Sequence, residues 1–361
     1  MSIEEELNPL RKSIDTIDNQ IISLLNERVR LAGEVGKIKL RQGGSIYVPS
    51  REQLIFDKLE KLNKGPLPHD SVKSIWREII SASISLEKKL VIAYLGPEAT
   101  FTHQAAIKNF GASLEYRPMK TIHDVILEVD RGEADYGVFP IENSTGGAVN
   151  LSQEILVDSQ SKIISQVFLK VEHCLISKSK LEEITHVYSK DQALNQCRDW
   201  LRRHLPNAEL VEVDSTAQGV MIAKDNAGAA AIGSELAAQT HGLQICAQSI
   251  QDRMDNSTRF LVIGDTPSPA IGNGRDRSSF VLSVRDEVSA LQKVIEPFSS
   301  RGINLCKIES RPTRLKPWEY YFFIDIVGHH DDSVVQEALV ELKERCLFVK
   351  WLGSYPDVRE L

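Results

Sequence analysis

At 361 residues the chain is too long for one ordinary hydrophobic core, and two or three domains are expected. With 42% apolar and 26% charged residues it has the composition of a soluble globular protein. The formal net charge of −7 excludes an electrostatic footprint for nucleic acid or an anionic membrane, so an anionic ligand would have to be drawn by local cations. No run of about 18 apolar residues offers a membrane span. The acidic start Met1-Ser2-Ile3-Glu4-Glu5-Glu6 lacks the basic-then-apolar order of a signal peptide. Five scattered cysteines (Cys174, Cys197, Cys246, Cys306, Cys346) form no C-x-x-C, which argues against a zinc site or a disulfide framework. They read as reduced, mostly buried thiols in a cytoplasmic protein.

The first 90 residues carry a helical rhythm. Apolar residues recur at Leu7, Leu10, Ile14, Ile17, Ile21 and Leu24, then Leu31, Val35 and Ile38. This four-three spacing predicts a long helix packed against other helices. Further helices are predicted over 51–63 and 71–89, separated by the breaker Lys64-Gly65-Pro66-Leu67-Pro68. Arg28 interrupts the apolar series, which is costly unless a carboxylate or another anion pairs with it. A lone case reads as an internal ion pair. Lys39, however, lies within about 20° of the same helix face and roughly 16 Å along the axis, so the two could hold a small dianion between them. Arg11 is roughly 25 Å from Arg28 along such a helix. If it binds ligand, it must serve a second copy of the site, which implies an intertwined dimer.

From Val91 short apolar runs alternate with helical patterns. Strands are predicted at 91–95, 136–139, 184–189, 210–213 and 229–233, with helices over 192–204 and 216–223. The alternation argues for an α/β domain with a largely parallel sheet, binding ligands beyond the carboxyl ends of its strands. Two polar loops fall at strand ends: Pro140-Ile141-Glu142-Asn143-Ser144-Thr145-Gly146-Gly147, and Asp255-Asn256-Ser257-Thr258-Arg259-Phe260. A hydroxyl beside a fixed cation suits a reaction in which a hydroxyl leaves while a carboxylate is held. Tyr94-Leu95-Gly96-Pro97-Glu98-Ala99-Thr100-Phe101-Thr102 adds hydroxyls at a helix start, an anion-binding arrangement. It is not a dinucleotide fingerprint or a P-loop, which disfavours nucleotide binding. The sheet pattern restarts near Glu172 and returns at Phe260, which predicts two lobes. Residues 265–274 read as a linker. The tail, with strands at 279–284, 320–327 and 347–352 and helices over 290–299 and 333–345, is expected to follow a β-α-β-β-α-β order.

These segments resemble three family motifs in a fixed order. Leu10-Arg11, Ile17-Asp18, Glu27-Arg28, Glu34-Val35-Gly36-Lys37, Lys39, Arg51-Glu52, Ser83 and Glu87 are similar to the all-helical chorismate mutase domain. That resemblance implies a dimer in which Arg11 of one chain joins Arg28, Lys39 and Arg51 of the other around one chorismate. The rearrangement there is pericyclic and needs no proton transfer, only a held conformer and stabilised charge. Val48 stands where some members have an aspartate, leaving that hydroxyl contact to Glu52. Glu87 stands where a glutamine often donates to the ether oxygen. Only a protonated acid can donate, so mutase activity is expected to fall as pH rises through a raised Glu87 pKa. Beside Lys88 and Lys89, the plain reading of Glu87 is a solvated helix residue.

The loops after Leu95, Pro140 and Asp255 resemble prephenate dehydratase, with Ala99 in place of a glycine. The resemblance makes Thr258 the essential hydroxyl, relaying a proton or donating a hydrogen bond. It sets Thr100, Asn143, Ser144, Thr145 and Arg259 around the substrate's carboxylates and ring, with Glu142 as proton source or structural cap. Ser189-Lys190-Asp191-Gln192 departs from the family's histidine and proline, and no role is assigned to Lys190 or Asp191. Six histidines (His103, His123, His173, His186, His204, His241) read as surface or packing residues.

Gly302-Ile303-Asn304-Leu305 with Ile308-Glu309-Ser310-Arg311-Pro312 resembles the ACT regulatory domain. This implies phenylalanine binding at a dimer interface through Ala290, Leu291, Asn304, Leu305, Glu309, Ser310 and Arg311. Val288-Ser289 replaces the family's glycine-bearing motif, so weakened effector binding is expected; a module that only dimerises is the plain alternative. The fold expected is multidomain: an all-α mutase-like domain (1–90) in an intertwined dimer, a bilobal α/β periplasmic-binding-protein-like dehydratase domain (91–268), and an α+β ferredoxin-like ACT domain (277–361). The function implied is a bifunctional enzyme of phenylalanine synthesis using no metal, nucleotide or prosthetic group. The alternatives are a dehydratase whose helical segment only dimerises, and a non-catalytic aromatic amino-acid sensor.

Overall fold

The computed structural model describes residues 3–285, 287–313 and 319–358. The chain forms two compact units: residues 1–48, 56–90 and 110–114 make the first, and 49–55, 91–109 and 115 onward the second.

The first unit is built on the helix α1 (Ile3–Arg41), 39 residues long, with acidic residues in its first turn and basic residues in its last, both favourable to the helix dipole. α2 (Pro49–Leu62) opens with proline, whose missing N–H costs nothing there. α3 (His69–Glu87) packs on α1. Its apolar stripe at 3.6-residue spacing buries Val72, Ile80 and Ile84. The apolar series of α1 has no such cover. Leu10, Ile14, Ile17 and Leu24 are each more than half exposed in a single chain.

The second unit holds three sheets. Its strands and helices follow in order: β1 (Val91–Leu95), α4 (Phe101–Phe110), β2 (Glu115–Met119), α5 (Ile122–Asp130), β3 (Tyr136–Asn143), β4 (Gly147–Ala148), α6 (Asn150–Asp158) and β5 (Lys162–Lys170). Then come β6 (Cys174–Ser177), β7 (His186–Ser189), α7 (Asp191–Gln196), α8 (Arg198–His204), β8 (Glu209–Glu212), α9 (Thr216–Asp225), β9 (Ala229–Gly233), α10 (Glu235–His241), β10 (Gln244–Ala247) and β11 (Ser257–Gly264). One lobe has the strand order β2-β1-β3-β11-β5, with β4 paired to β3; the other has β10-β6-β9-β7-β8. The crossover from β5 to β6 leaves the first lobe and β11 returns to it, which produces the two lobes expected from the sequence.

Neither sheet is largely parallel, and here the sequence expectation is corrected. β11 runs antiparallel to both β3 and β5, and β6 antiparallel to β9 and β10. A strand that re-enters a sheet from another lobe is not bound by the crossover geometry that makes βαβ units parallel. The helix expected over 192–204 is two helices meeting at Cys197.

The tail follows the expected order: β12 (Asp276–Ser283), α11 (Ala290–Ser299), β13 (Leu305–Pro312), β14 (Tyr320–Val327), α12 (Ser333–Arg345) and β15 (Phe348–Pro356). Its sheet runs β13-β14-β12-β15. The two helices cover one face around Phe280, Phe298, Ile324 and Leu342. The other face shares a core with the first lobe, where Val281, Phe323, Leu352 and Tyr355 meet Phe139, Ile141, Ile163 and Leu261. β15 approaches β5 so closely that a Cβ on Gly353 would lie 2.1 Å from the Ile163 carbonyl oxygen. Its φ of +151° also strains any other residue.

A buried polar network sits inside this shared core. Arg259 of β11 donates to Gln166 (2.9 Å), Asp325 (2.8 Å) and the Tyr355 hydroxyl (2.8 Å). Ser279 donates to the other Asp325 oxygen at 2.6 Å, and Arg277 stands 3.5 Å from that carboxylate. Burial by itself would raise the Asp325 carboxyl, but Arg259, Ser279 and Arg277 outweigh it and hold it below the usual carboxylate range. Removing one partner of such a pair strands the other charge in the interior. Asp325→Ala is expected to lower stability by about 3–5 kcal/mol at pH 7, read as the urea midpoint. Because the folded Asp325 pKa is depressed, its stabilisation is fully present above the unfolded carboxylate pKa and fades as pH falls through the folded one. The gap between variant and wild type should therefore narrow in acid; a gap that widens there contradicts the assignment.

Candidate active sites

In the first unit the sequence-expected residues Arg28, Lys39, Ser83 and Glu87 come together where α1 packs on α3. Arg28 donates to the Ser83 hydroxyl at 3.2 Å, and that hydroxyl donates to the Ile79 carbonyl at 2.7 Å. Among the described residues no carboxylate pairs with Arg28, and burial pulls its guanidinium pKa down. A half-buried cation held only by a hydroxyl suits an incoming anion. Lys39 donates to the Ile46 carbonyl at 3.2 Å.

Glu87 is not a solvated helix residue. Its carboxylate lies over Gly36, where a Cβ would come within 2.2 Å of it. Burial pushes the Glu87 carboxyl up, and the charge of Lys39 only partly offsets the shift. Gly36 thus lies against this candidate site, a placement its position in Glu34-Val35-Gly36-Lys37 does not disclose. Arg11 is exposed on α1, about 25 Å before Arg28 by helical rise. Arg51, exposed, and Glu52, buried, belong to the 49–55 segment of the second unit.

In the second unit a cleft of about 410 Å³ opens between the two lobes, lined among others by Thr100, Asn143, His173, Gln196, Asn256 and Thr258. Paired strands build its chemical centre. Thr258 on β11 sits opposite Asn143 on β3, and Asn143 Nδ2 donates to Thr258 Oγ1 at 2.8 Å. The orientation of that amide is fixed by its other end. Asn143 Oδ1 accepts the backbone N–H groups of Thr145 (3.0 Å) and Gly146 (2.8 Å) and the Thr145 hydroxyl (2.7 Å). Thr258 oxygen therefore accepts from Asn143, which leaves its own hydrogen free to donate into the cleft.

The polarity continues outward. Asn143 Nδ2 also donates to Asn256 Oδ1 at 2.9 Å, and Asn256 Nδ2 donates to Gln196 Oε1 at 3.1 Å. Gln196 Oε1 then accepts from His173 Nε2 at 2.9 Å, which assigns the proton to that nitrogen. Burial lowers the His173 pKa, so the ring is neutral. Ser144 staples the loop to β11, its hydroxyl accepting from Ser257 N–H at 2.9 Å and donating to the Asp255 carbonyl at 3.2 Å. Thr100 Oγ1 accepts the His103 N–H at 3.3 Å at the start of α4. Ala99, before it, takes a left-handed φ of 64° that glycine would adopt without strain. Burial pushes the thiols of Cys174, Cys197, Cys246 and Cys346 up, so none of these four is an activated nucleophile.

Arg259 lies away from the substrate position expected of it, and Glu142 lies beside it. They are register partners one residue along from Thr258 and Asn143, and side chains alternate faces along a strand. Both consequently point away from the cleft. Arg259 is in the buried network with Asp325, and Glu142 accepts from Lys307 of β13 at 2.9 Å. Of the two roles left open for Glu142, this geometry fits the structural one.

The expected effector residues also divide. Glu309 and Arg311 face α6, where Gln153 donates to Glu309 at 2.9 Å and accepts from Arg311 at 3.1 Å. Ser310, between them, is exposed on the other face. Ala290 and Leu291 open α11 behind Ser289, whose φ of 65° is again a glycine conformation. Asn304 accepts the Val327 N–H at 2.9 Å through its carbonyl, and Leu305 begins β13.

Comparison with known proteins matches three family descriptions in order: Chorismate mutase type II over residues 10–88, Prephenate dehydratase over 92–268 and ACT domain over 278–344. A bifunctional chorismate mutase/prephenate dehydratase of Aquifex aeolicus is 48% identical over 98% of both chains. The chain belongs to the bifunctional chorismate mutase/prephenate dehydratase family. The protein of that name from Neisseria gonorrhoeae is 42% identical over 98% of both chains. Among solved structures, a prephenate dehydratase from Arthrobacter aurescens in complex with L-Phe superposes with a TM-score of 0.69 at 33% identity, covering 74% of this chain and 90% of its own.

The family membership gives the dehydratase cleft a definite demand. A departing hydroxyl needs a hydrogen-bond donor, and the Asn143–Thr258 arrangement leaves one. Asn143→Asp replaces the amide donor by a carboxylate that accepts, turning the Thr258 hydrogen away from the cleft. Prephenate turnover is expected to fall by about 100-fold or more, while consumption of chorismate by the same sample stays unchanged. Retention of prephenate turnover would show that the direction of this hydrogen bond does not matter.

Proposed function

We propose that this chain converts chorismate to prephenate in its helical segment and prephenate to phenylpyruvate in its cleft. The observation that carries the second step is the Thr258 hydroxyl, fixed as a donor by an amide whose carbonyl is saturated. Prephenate dianion plus one proton yields phenylpyruvate, carbon dioxide and water. As the ring carboxylate leaves as carbon dioxide, its bonding electrons complete the aromatic ring and expel the hydroxyl. Hydrogen bonding from Thr258 stabilises charge on that oxygen, and the proton reaches it directly or by relay.

For the first step Arg28 and Lys39 hold the carboxylates of chorismate, Ser83 orients Arg28, and Glu87, when protonated, donates to the ether oxygen. The mutase resemblance implies that Arg51 and Glu52 also contact chorismate, with Arg11 supplied by a second copy. The uncovered apolar series of α1 favours a homodimer, since a partner helix would bury it. We assign residues 1–90, 91–268 and 277–361 to mutase, dehydratase and ACT domains, and phenylalanine to the last as a feedback effector. Among the described residues no helix is long and apolar enough to cross a membrane, and a cytoplasmic site fits the reduced cysteines.

Given chorismate alone, the purified chain is expected to accumulate phenylpyruvate by way of prephenate. If chorismate is untouched while added prephenate is consumed, the helical segment serves only dimerisation. Phenylalanine should slow the second step, and Ser289→Gly, which removes a left-handed strain of about 1 kcal/mol, should lower the concentration needed. Mutase activity should decline as pH rises through the raised Glu87 pKa, because only the protonated acid donates. Glu87→Gln should flatten that profile from about pH 5 to about pH 8.5; a flat wild-type profile over the same range removes Glu87 as the donor.

A further inference from the structure

With Arg259 committed to Asp325 on the far side of β11, the cleft needs other cations for a substrate bearing two carboxylates. We infer that Lys120 and Lys190, one from each lobe, hold the two carboxylates of prephenate. This rests on the dehydratase reading above.

Both lysines line the same cleft as Thr258 and Asn143. Lys120 follows the last residue of β2, and Lys190 the last residue of β7. Each therefore stands at the carboxyl end of a strand, the position at which open α/β sheets bind ligands. Both are exposed, and neither ammonium forms an ion pair among the described residues. Asp214 is the acidic side chain on the same wall, so the local balance is two cations against one anion in a chain whose net charge is −7. That imbalance gives the cleft a local surplus of positive charge where a dianion must bind. Because the lysines belong to different lobes, a dianion bridging them stabilises the two lobes against each other only when substrate is present.

The two carboxylates have different fates. One is lost as carbon dioxide, and the other stays on the pyruvyl side chain of the product. Holding either in the ground state lowers KM without accelerating the chemical step. Lys120→Ala and Lys190→Ala should each raise the KM for prephenate by about 10- to 100-fold while kcat changes far less. Lys→Arg at either position should restore KM to within a few-fold. Phenylpyruvate, which keeps one carboxylate, supplies a second readout. Its product inhibition should weaken in one of the two alanine variants and stay near wild type in the other. Chorismate consumption by the same samples reports the helical unit, and the retained kcat for prephenate reports that the cleft is folded.

A wild-type chain inert toward prephenate would remove the dehydratase reading itself. An active wild type whose KM is unchanged in both alanine variants would overturn the lysine assignment alone. So would a loss of kcat at constant KM, or equal weakening of phenylpyruvate by both variants.

Discussion

Strand alternation at one pair of residues governs the dehydratase cleft and its attachment to the tail. Thr258 and Arg259 are neighbours in sequence and opposites in space. The hydroxyl faces the cleft, and the guanidinium enters the core shared with the ACT sheet. A buried ion pair is seldom more stabilising than well-packed apolar side chains. What it does supply is discrimination between registers. A slip of β11 by one residue would drive Thr258 into the core and leave Asp325 without its 2.8 Å partner, facing Arg277 alone. Gln166, Tyr355 and Ser279 complete the hydrogen bonds around Arg259 and Asp325, so the correct register leaves both charges satisfied. The strand that carries Thr258 is thereby fixed from behind by residues 66 and 96 positions later in the chain.

The ACT sheet is accordingly part of the dehydratase core as well as a domain in its own right. Tyr355, Leu352 and Phe323 bury apolar surface against Phe139 and Leu261 of the first lobe. β13 adds a polar rim: Lys307 reaches Glu142 next to Asn143, and Glu309 and Arg311 grip Gln153 three residues into α6. These contacts lie on the strand and helix that flank the Asn143–Gly147 loop. β13 is thus joined by hydrogen bonds to the segments on both sides of the loop.

Much of this was legible in the sequence where local rules decide it. The spacing along α1, the breaker between α2 and α3, and the strand and helix order of the tail follow from periodicity and turn chemistry, which act over a few residues. The cleft loops were legible because amides and hydroxyls cluster there. The direction of β11 was not, since it depends on the chain crossing to a second lobe and returning. Arg259 was misread because its nearness to Thr258 in sequence suggested a shared task. Period-two alternation already argued against that, but its partner Asp325 could be found only by folding. Gln196 and His173 gave no signal of their own: one lies in a short helix and the other between two strands, and only the cleft joins them to Asn256. Gly36 was visible as a motif member, yet its purpose depends on Glu87 lying across it from another helix.

In the assignments proposed above, the two candidate sites meet the same electrostatic problem differently, with Arg28 beside Lys39 in one and two exposed lysines in the other, for a chemical reason. The mutase reaction keeps both carboxylates throughout, so anchoring them in a half-buried site by Arg28 does not oppose the reaction, and partial desolvation strengthens the hold. The dehydratase reaction destroys one carboxylate. A buried, bidentate arginine on the departing group would stabilise the ground state against its loss. Exposed lysines hold an anion more weakly, because an ammonium stays strongly hydrated and binds as a point charge. At physiological ionic strength charges more than about 8 Å away are largely screened, so the overall charge of −7 has little say at either site. What decides binding in both is which cation stands within contact distance, and how much water it keeps.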